Sequence, residues 1–116
     1  MGSEPSIFTK IINGDIPGDF VYKDDVVVAI RDINPQATFH VLIIPRQEIT
    51  SAYDITEENA SIAGHMMLVA SKIAAQEGIK NGFRLLINNG PDANQEVIHL
   101  HMHMLAGKNI GPMVCK

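Results

Sequence analysis

The chain has 116 residues, of which 46% are hydrophobic and 19% charged, and its formal net charge is -4 at pH 7. This is the composition of one globular domain near the size where covering both faces of a sheet becomes difficult, so a partner subunit would help, and it excludes disordered and fibrous classes. An acidic balance without clustered Lys and Arg argues against a nucleic-acid partner; with no basic start leading into an apolar run, and no apolar stretch near the roughly 18 residues of a membrane span, a cytoplasmic protein without a membrane association is expected.

Ile7, Phe8, Ile11 and Ile12 fall at helical spacing after Ser6, and Asn13-Gly14 closes the segment, which predicts a short amphipathic helix over 6–12 ahead of which residues 1–5 form a loose N-terminus. Phe20 to Tyr22 and Val26 to Arg31 are β-rich runs around Lys23-Asp24-Asp25 and read as an antiparallel hairpin; Phe39 to Ile44 is a third strand, stopped by Pro45. One long helical pattern lies between Thr56 and Gly78, with Thr56 as cap, Glu57 and Glu58 at the positive end of the dipole, and Ile62, Met66, Val69 and Ile73 as the apolar face. His65 reads as a boundary residue of that helix. Phe83 to Ile87 is a fourth strand, Asn88 to Asn94 a turn, and Val97 to Leu105 a last strand. Adjacent strands with one long helix inserted favour an α+β fold with an antiparallel sheet, and no Gly-rich phosphate loop follows a strand. The single cysteine, Cys115, supports neither a disulfide framework nor a Cys-rich zinc site and reads as having no role.

The stretch QEVIHLHMHML places His99, His101 and His103 at alternate positions, three of the five histidines in the chain. In a strand, alternate positions share a face and lie roughly 6.7 Å apart, so these imidazoles line one side with Val97 while Ile98, Leu100, Met102 and Met104 line the other. Three readings follow. A merely solvated face would draw on Thr, Lys, Glu or Ser rather than His. A metal site is open to imidazole ligands, but three in line span too far for one ion, and no Cys, Asp or Glu on the strand completes a tetrahedron. Nucleophilic and acid-base chemistry on a phosphoryl group suits the row best, because neighbouring imidazoles suppress each other's protonation and can hold a neutral attacker beside a cationic partner.

The residues also carry a resemblance. His99-Leu100-His101-Met102-His103-Met104-Leu105 looks like the signature of the histidine triad (HIT) family, and SIFTKIINGDIP, AIRDINPQATFHVLIIPRQEI and LINNGPDANQEVIHLHMHMLAGK resemble its Hint branch, the purine nucleoside phosphoramidases, with Gly111-Pro112-Met113 fitting the C-terminal segment of bacterial members. The resemblance spans nearly the whole chain as one domain. It implies a five-stranded antiparallel sheet with one short and one long helix, continued across a homodimer that residues 106–116 approach, and hydrolysis of purine nucleoside 5'-phosphoramidates and aminoacyl adenylates without a cofactor or metal. By position, His101 matches the nucleophile, which forms a covalent nucleotidyl intermediate. His99 matches the residue whose carbonyl orients that ring, His103 the residue near phosphate and leaving group, and His40 the histidine that supports it. Asn88, Gln95 and the backbone around Glu96 and Val97 match phosphate and sugar contacts. Asp32 matches the carboxylate that binds the ribose hydroxyls, and Ile7, Phe8, Ile11, Ile30 and Ile33 match an apolar slot around the purine.

Two departures bear on the leaving group. Glu96 stands where animal members place a serine, and an ionised carboxylate cannot donate, so Glu96 is expected to face solvent or a cationic leaving group such as a lysine side chain. The chain also has no tryptophan, whereas animal members place one near the C-terminus. The competing functions are a nucleotide-binding regulatory or partner-binding module and a dinucleoside polyphosphate hydrolase; the spacing from Asp32 to Ile44 speaks against the latter.

Overall fold

A computed structural model describes residues 5–113. Ser6 caps α1 (Ile7–Ile12) by accepting a hydrogen bond from the Thr9 amide, as its place ahead of the apolar stripe leads one to expect. Five strands follow: β1 (Phe20–Lys23), β2 (Val27–Arg31), β3 (Phe39–Pro45), β4 (Phe83–Leu86) and β5 (Met102–Ala106), with α2 (Ala60–Gln76) between β3 and β4. They form one sheet in the order β1-β2-β3-β5-β4, and every pair is antiparallel. Cys115 lies outside the described residues.

One sheet face carries Val27, Ala29, Val41, Ile43, Met102 and Met104 and packs against Met66, Val69, Ala70 and Ile73 of α2, with Ile62 at its margin. This is the apolar face read from the sequence. The opposite face carries Val28, Ile30, Leu42 and Ile44 under Phe8 of α1. Two layers of helix on one sheet thus leave a thin core on the α1 side, and the histidines fill the rest of it.

The long helix starts later than Thr56. Asn59 Oδ1 accepts from the Thr56 amide at 2.7 Å and Thr56 Oγ1 accepts from the Glu58 amide at 3.2 Å, so residues 56–59 close a self-satisfied turn and Asn59 becomes the N-cap residue. Gly78, with φ +67°, ends α2 in the left-handed conformation that glycine favours. His65 ties α2 to the β1–β2 turn, its Nε2 lying 2.6 Å from Asp24 Oδ2. Burial alone would raise the Asp24 pKa, but hydrogen bonds from Val27, His65, Val26 and Tyr22 outweigh it and hold the carboxyl well below the usual range.

The last strand also begins later than expected, at Met102 instead of Val97. Pro45 explains the shift. The ladder pairs Ile43 with Met102, so its next rungs would need Pro45, which has no N–H to donate. The Pro45 carbonyl is instead taken by the His99 ring at 2.8 Å, and the Leu100 amide turns away to the Ile49 carbonyl at 2.6 Å. Leu100 remains buried against the α2 side, but Ile98, assigned to the core face by alternation, is 61% exposed.

Beyond β5, Gly107 has φ +112°, and a Cβ there would stand 2.6 Å from Thr38 Cβ. Gly107→Ala is therefore expected to cost about 2–3 kcal/mol, from combined backbone strain and overpacking, and to lower the melting midpoint by roughly 10 °C. Thermal denaturation followed by circular dichroism checks this; an unchanged midpoint would refute it.

Candidate active site

The site lies on the α1 face, where β3 and β5 run side by side. His40, Leu42 and Ile44 alternate onto that face from β3, and His103 stands opposite Leu42, so His40 and His103 are diagonal cross-strand neighbours. Their Nε2 and Nδ1 atoms are 2.8 Å apart. Asp32 follows β2 and is drawn to the same place because its amide continues the ladder to the His40 carbonyl at 3.0 Å; its Oδ2 lies 3.4 Å from His40 Nε2.

The proton on each ring follows from its partners. The Gln36 amide donates to His40 Nδ1 at 2.9 Å, so neutral His40 carries its proton on Nε2 and donates it to His103 Nδ1. That leaves the proton of neutral His103 on Nε2. The His99 carbonyl lies 2.7 Å from His101 Nδ1, and because a carbonyl only accepts, His101 donates there and keeps its lone pair on Nε2. His99 donates from Nε2 to the Pro45 carbonyl, and its Nδ1 is 2.5 Å from the Ser6 hydroxyl. Phe8 lies edge-on to both His99 and His101, with ring centroids 5.8 and 4.9 Å apart. The His101 and His103 rings are 5.2 Å apart.

Electrostatics favour neutral imidazoles. Burial, then the neighbouring His101 and His40, lowers the His103 pKa to about 4, with Asp32 opposing. Burial likewise lowers His40 against the pull of Asp32, and lowers His99 against its bond to Pro45 and the charge of Glu48. Among the described residues, one group has the donor set for a metal ion: ligand atoms of Asp32, His40 and His103 lie within 4.8 Å of one another. His40 Nε2 and His103 Nδ1 already share a hydrogen bond.

The remaining expected site residues are less uniformly placed. Phe8 and Ile30 are buried and Ile11 packs beside them. Ile7 is 49% exposed and Ile33 wholly exposed, so the five residues expected around a purine do not close into a slot within one chain. Asn88 is half-buried. The Gln95 side chain is committed to its own loop: Nε2 donates to the Thr50 and Val97 carbonyls at 2.7 and 3.0 Å, and Oε1 accepts from the Gly90 amide at 2.9 Å. Glu96 is exposed, and with Ser6, Ile7, Glu48, Thr50, Val97 and Ile98 it lines an open cleft of about 500 Å³.

A profile of the HIT domain matches residues 13–110. The chain belongs to the HIT domain family. Among HIT relatives, the purine nucleoside phosphoramidase of Escherichia coli K12 is 50% identical over 113 residues, which is 97% of this chain and 95% of that protein. A HIT family hydrolase from Clostridium thermocellum superposes with a TM-score of 0.92 at 43% identity, covering 97% of this chain and 99% of that one. A histidine triad protein from Clostridium difficile gives a TM-score of 0.92 at 43% identity, covering 98% and 100% of the two chains. The five-stranded antiparallel sheet with its two helices is thus the HIT fold. The HIT signature carries His99, His101 and His103, but Ser6 and the Gln36 amide, which bond the His99 and His40 rings, and Glu48, which holds Ser6, carry no signal in the sequence; Ser6 is 93 positions from the ring it touches. No helix among the described residues is long and apolar enough to cross a membrane.

Proposed function

We propose that this HIT enzyme hydrolyses purine nucleoside 5'-phosphoramidates, including conjugates of AMP or GMP with amines such as lysine, and aminoacyl adenylates, through a covalent nucleotidyl-His101 intermediate. The observation that carries the reading is the 2.7 Å bond from His101 Nδ1 to the His99 carbonyl, which leaves Nε2 as a free nucleophile. In the first step the Nε2 lone pair attacks phosphorus and the P–N bond breaks; the leaving nitrogen takes a proton, for which the Nε2–H of His103 is the candidate donor. Water then attacks the nucleotidyl-histidine and returns a proton to His103 Nε2, releasing the nucleoside monophosphate and regenerating both histidines. The E. coli relative, named for the same activity, supports the substrate class.

The nucleotide is placed by Asp32 on the ribose hydroxyls, by Asn88 and the backbone near Gln95, Glu96 and Val97 on the phosphate, and by Ile7, Phe8, Ile11, Ile30 and Ile33 around the base. Glu96, exposed on the cleft rim, is suited to a cationic leaving group. We further expect a cytoplasmic homodimer in which β4 edges join. Supporting this are the edge position of β4 and the exposed Phe83, Met67 and Leu68, which are 40%, 56% and 49% accessible. Arg84, also on β4, holds the C-terminal segment near that edge through the Gly111 and Pro112 carbonyls.

The purified protein should turn over adenosine 5'-phosphoramidate in the presence of a chelator, with no need for added metal. Activity that vanishes with chelator and returns with zinc would overturn the histidine mechanism in favour of the Asp32, His40 and His103 cluster as a metal site, and no turnover at all would overturn the function.

A further inference from the structure

The nucleophile is oriented by a carbonyl, and that carbonyl belongs to a residue whose ring is held at both ends. His99 is fully buried, and its Nε2–H donates to the Pro45 carbonyl at the end of β3. Its other nitrogen, Nδ1, then has only a lone pair, and the Ser6 hydroxyl is the group that meets it, at 2.5 Å. Ser6 Oγ also accepts from the Thr9 amide at 3.0 Å, so one hydroxyl caps α1 with its lone pair and has its single proton left for His99. Thr9 Oγ1, 3.3 Å from Ser6 Oγ, competes for that proton at the longer distance. Glu48 fixes the arrangement from outside, accepting from the Ser6 amide at 2.9 Å and from the Thr9 hydroxyl. Phe8, two residues on in the same helix, packs edge-on to both His99 and His101.

We propose that Ser6 is a positioning residue for the nucleophile: through its hydrogen bond to the buried His99 ring it fixes the His99 backbone, and with it the carbonyl that aims His101. This deepens the proposed function and rests on it for the kinetic part. The same helix presents Ile7, Phe8 and Ile11 to the proposed base slot, so purine binding and nucleophile orientation are connected through one short helix. Unlike the triad itself, this link runs through a side chain at the edge of the fold.

Ser6→Gly separates donation from capping, because glycine is tolerated at an N-cap while it removes the hydroxyl. In the substrate-free protein, the ring ¹⁵N signals of His99 and the Nδ1–H signal of His101 should shift or broaden in Ser6→Gly and return in Ser6→Thr, which keeps a hydroxyl. With adenosine 5'-phosphoramidate, kcat should fall about 10-fold in Ser6→Gly with KM little changed, as expected when a reacting group is misaimed from outside the site, and recover in Ser6→Thr. Unchanged ring signals, a wild-type kcat, or a loss confined to KM would each overturn the proposal. Should the unmodified protein show no turnover, the proposed function fails while the ring signals still decide whether Ser6 orients His99 and His101.

Discussion

Replacing His101 with alanine should reduce phosphoramidate turnover at least about 10³-fold while leaving the fold intact, because no other group replaces the covalent nucleophile proposed for it. His103 is a poor substitute: its Nδ1 is engaged by His40 at 2.8 Å, and its proton sits on the nitrogen that would have to attack. His99 is buried with both ring nitrogens bonded. The alanine variant should still bind nucleoside monophosphate, since the ribose and base contacts proposed for Asp32, Phe8 and Ile30 are untouched. Single-turnover kinetics with a labelled nucleotide, quenched in base to preserve the P–N linkage to histidine, provide the measurement. Retained turnover, or a labelled intermediate in the variant, would exclude His101 as the attacking group.

The second large effect is on stability in acid. His103 titrates near 6.5 when unfolded and at about 4 when folded, and the pKa values of His40 and His99 are lowered in the same direction. Between those values the unfolded chain binds protons that the folded chain refuses, so folding stability rises with pH across the window and is lost as pH falls from 6.5 towards 4. Above 6.5 these groups are neutral in both states and the dependence levels off. For His103 alone the loss is on the order of 2 kcal/mol after discounting for its partial exposure. Melting curves recorded from pH 7.5 down to about 4.5 should therefore show a steep decline that is shallower in His103→Asn. A flat profile, or an unchanged slope in His103→Asn, would show that the imidazole is not kept neutral by the fold.

Local pattern made much of this legible, and long-range pairing hid the rest. The apolar face of α2 could be read from Met66, Val69 and Ile73 because helical spacing is a local property, and the β1–β2 hairpin from two β-rich runs around Asp24 for the same reason. The start of β5 could not, because residues 98, 100, 102 and 104 keep the alternation of a strand while the missing donor that ends the ladder belongs to Pro45 on the neighbouring strand. Thr56 and Asn59 are both competent caps, and only the hydrogen bonds of the turn between them select Asn59. In the site, the histidines announced themselves, but the roles proposed for them came from the family resemblance, and the position of each ring proton depends on the Gln36 amide, the His99 and Pro45 carbonyls and the Ser6 hydroxyl. These are ordinary backbone and hydroxyl groups with no signature of their own.

The early end of the β3–β5 ladder divides the row of three histidines between two supports. His103 is anchored by the register of the sheet, whereas Glu96, Val97 and Ile98 lie on a connection that contributes no rung to it. His99 and His101 lie on the same connection, so altered loop length there would move them along with the cleft where a leaving group would sit, while the strand that carries His103 stays in place. A single proline thereby ties the shape of the cleft to the placement of His99 and His101.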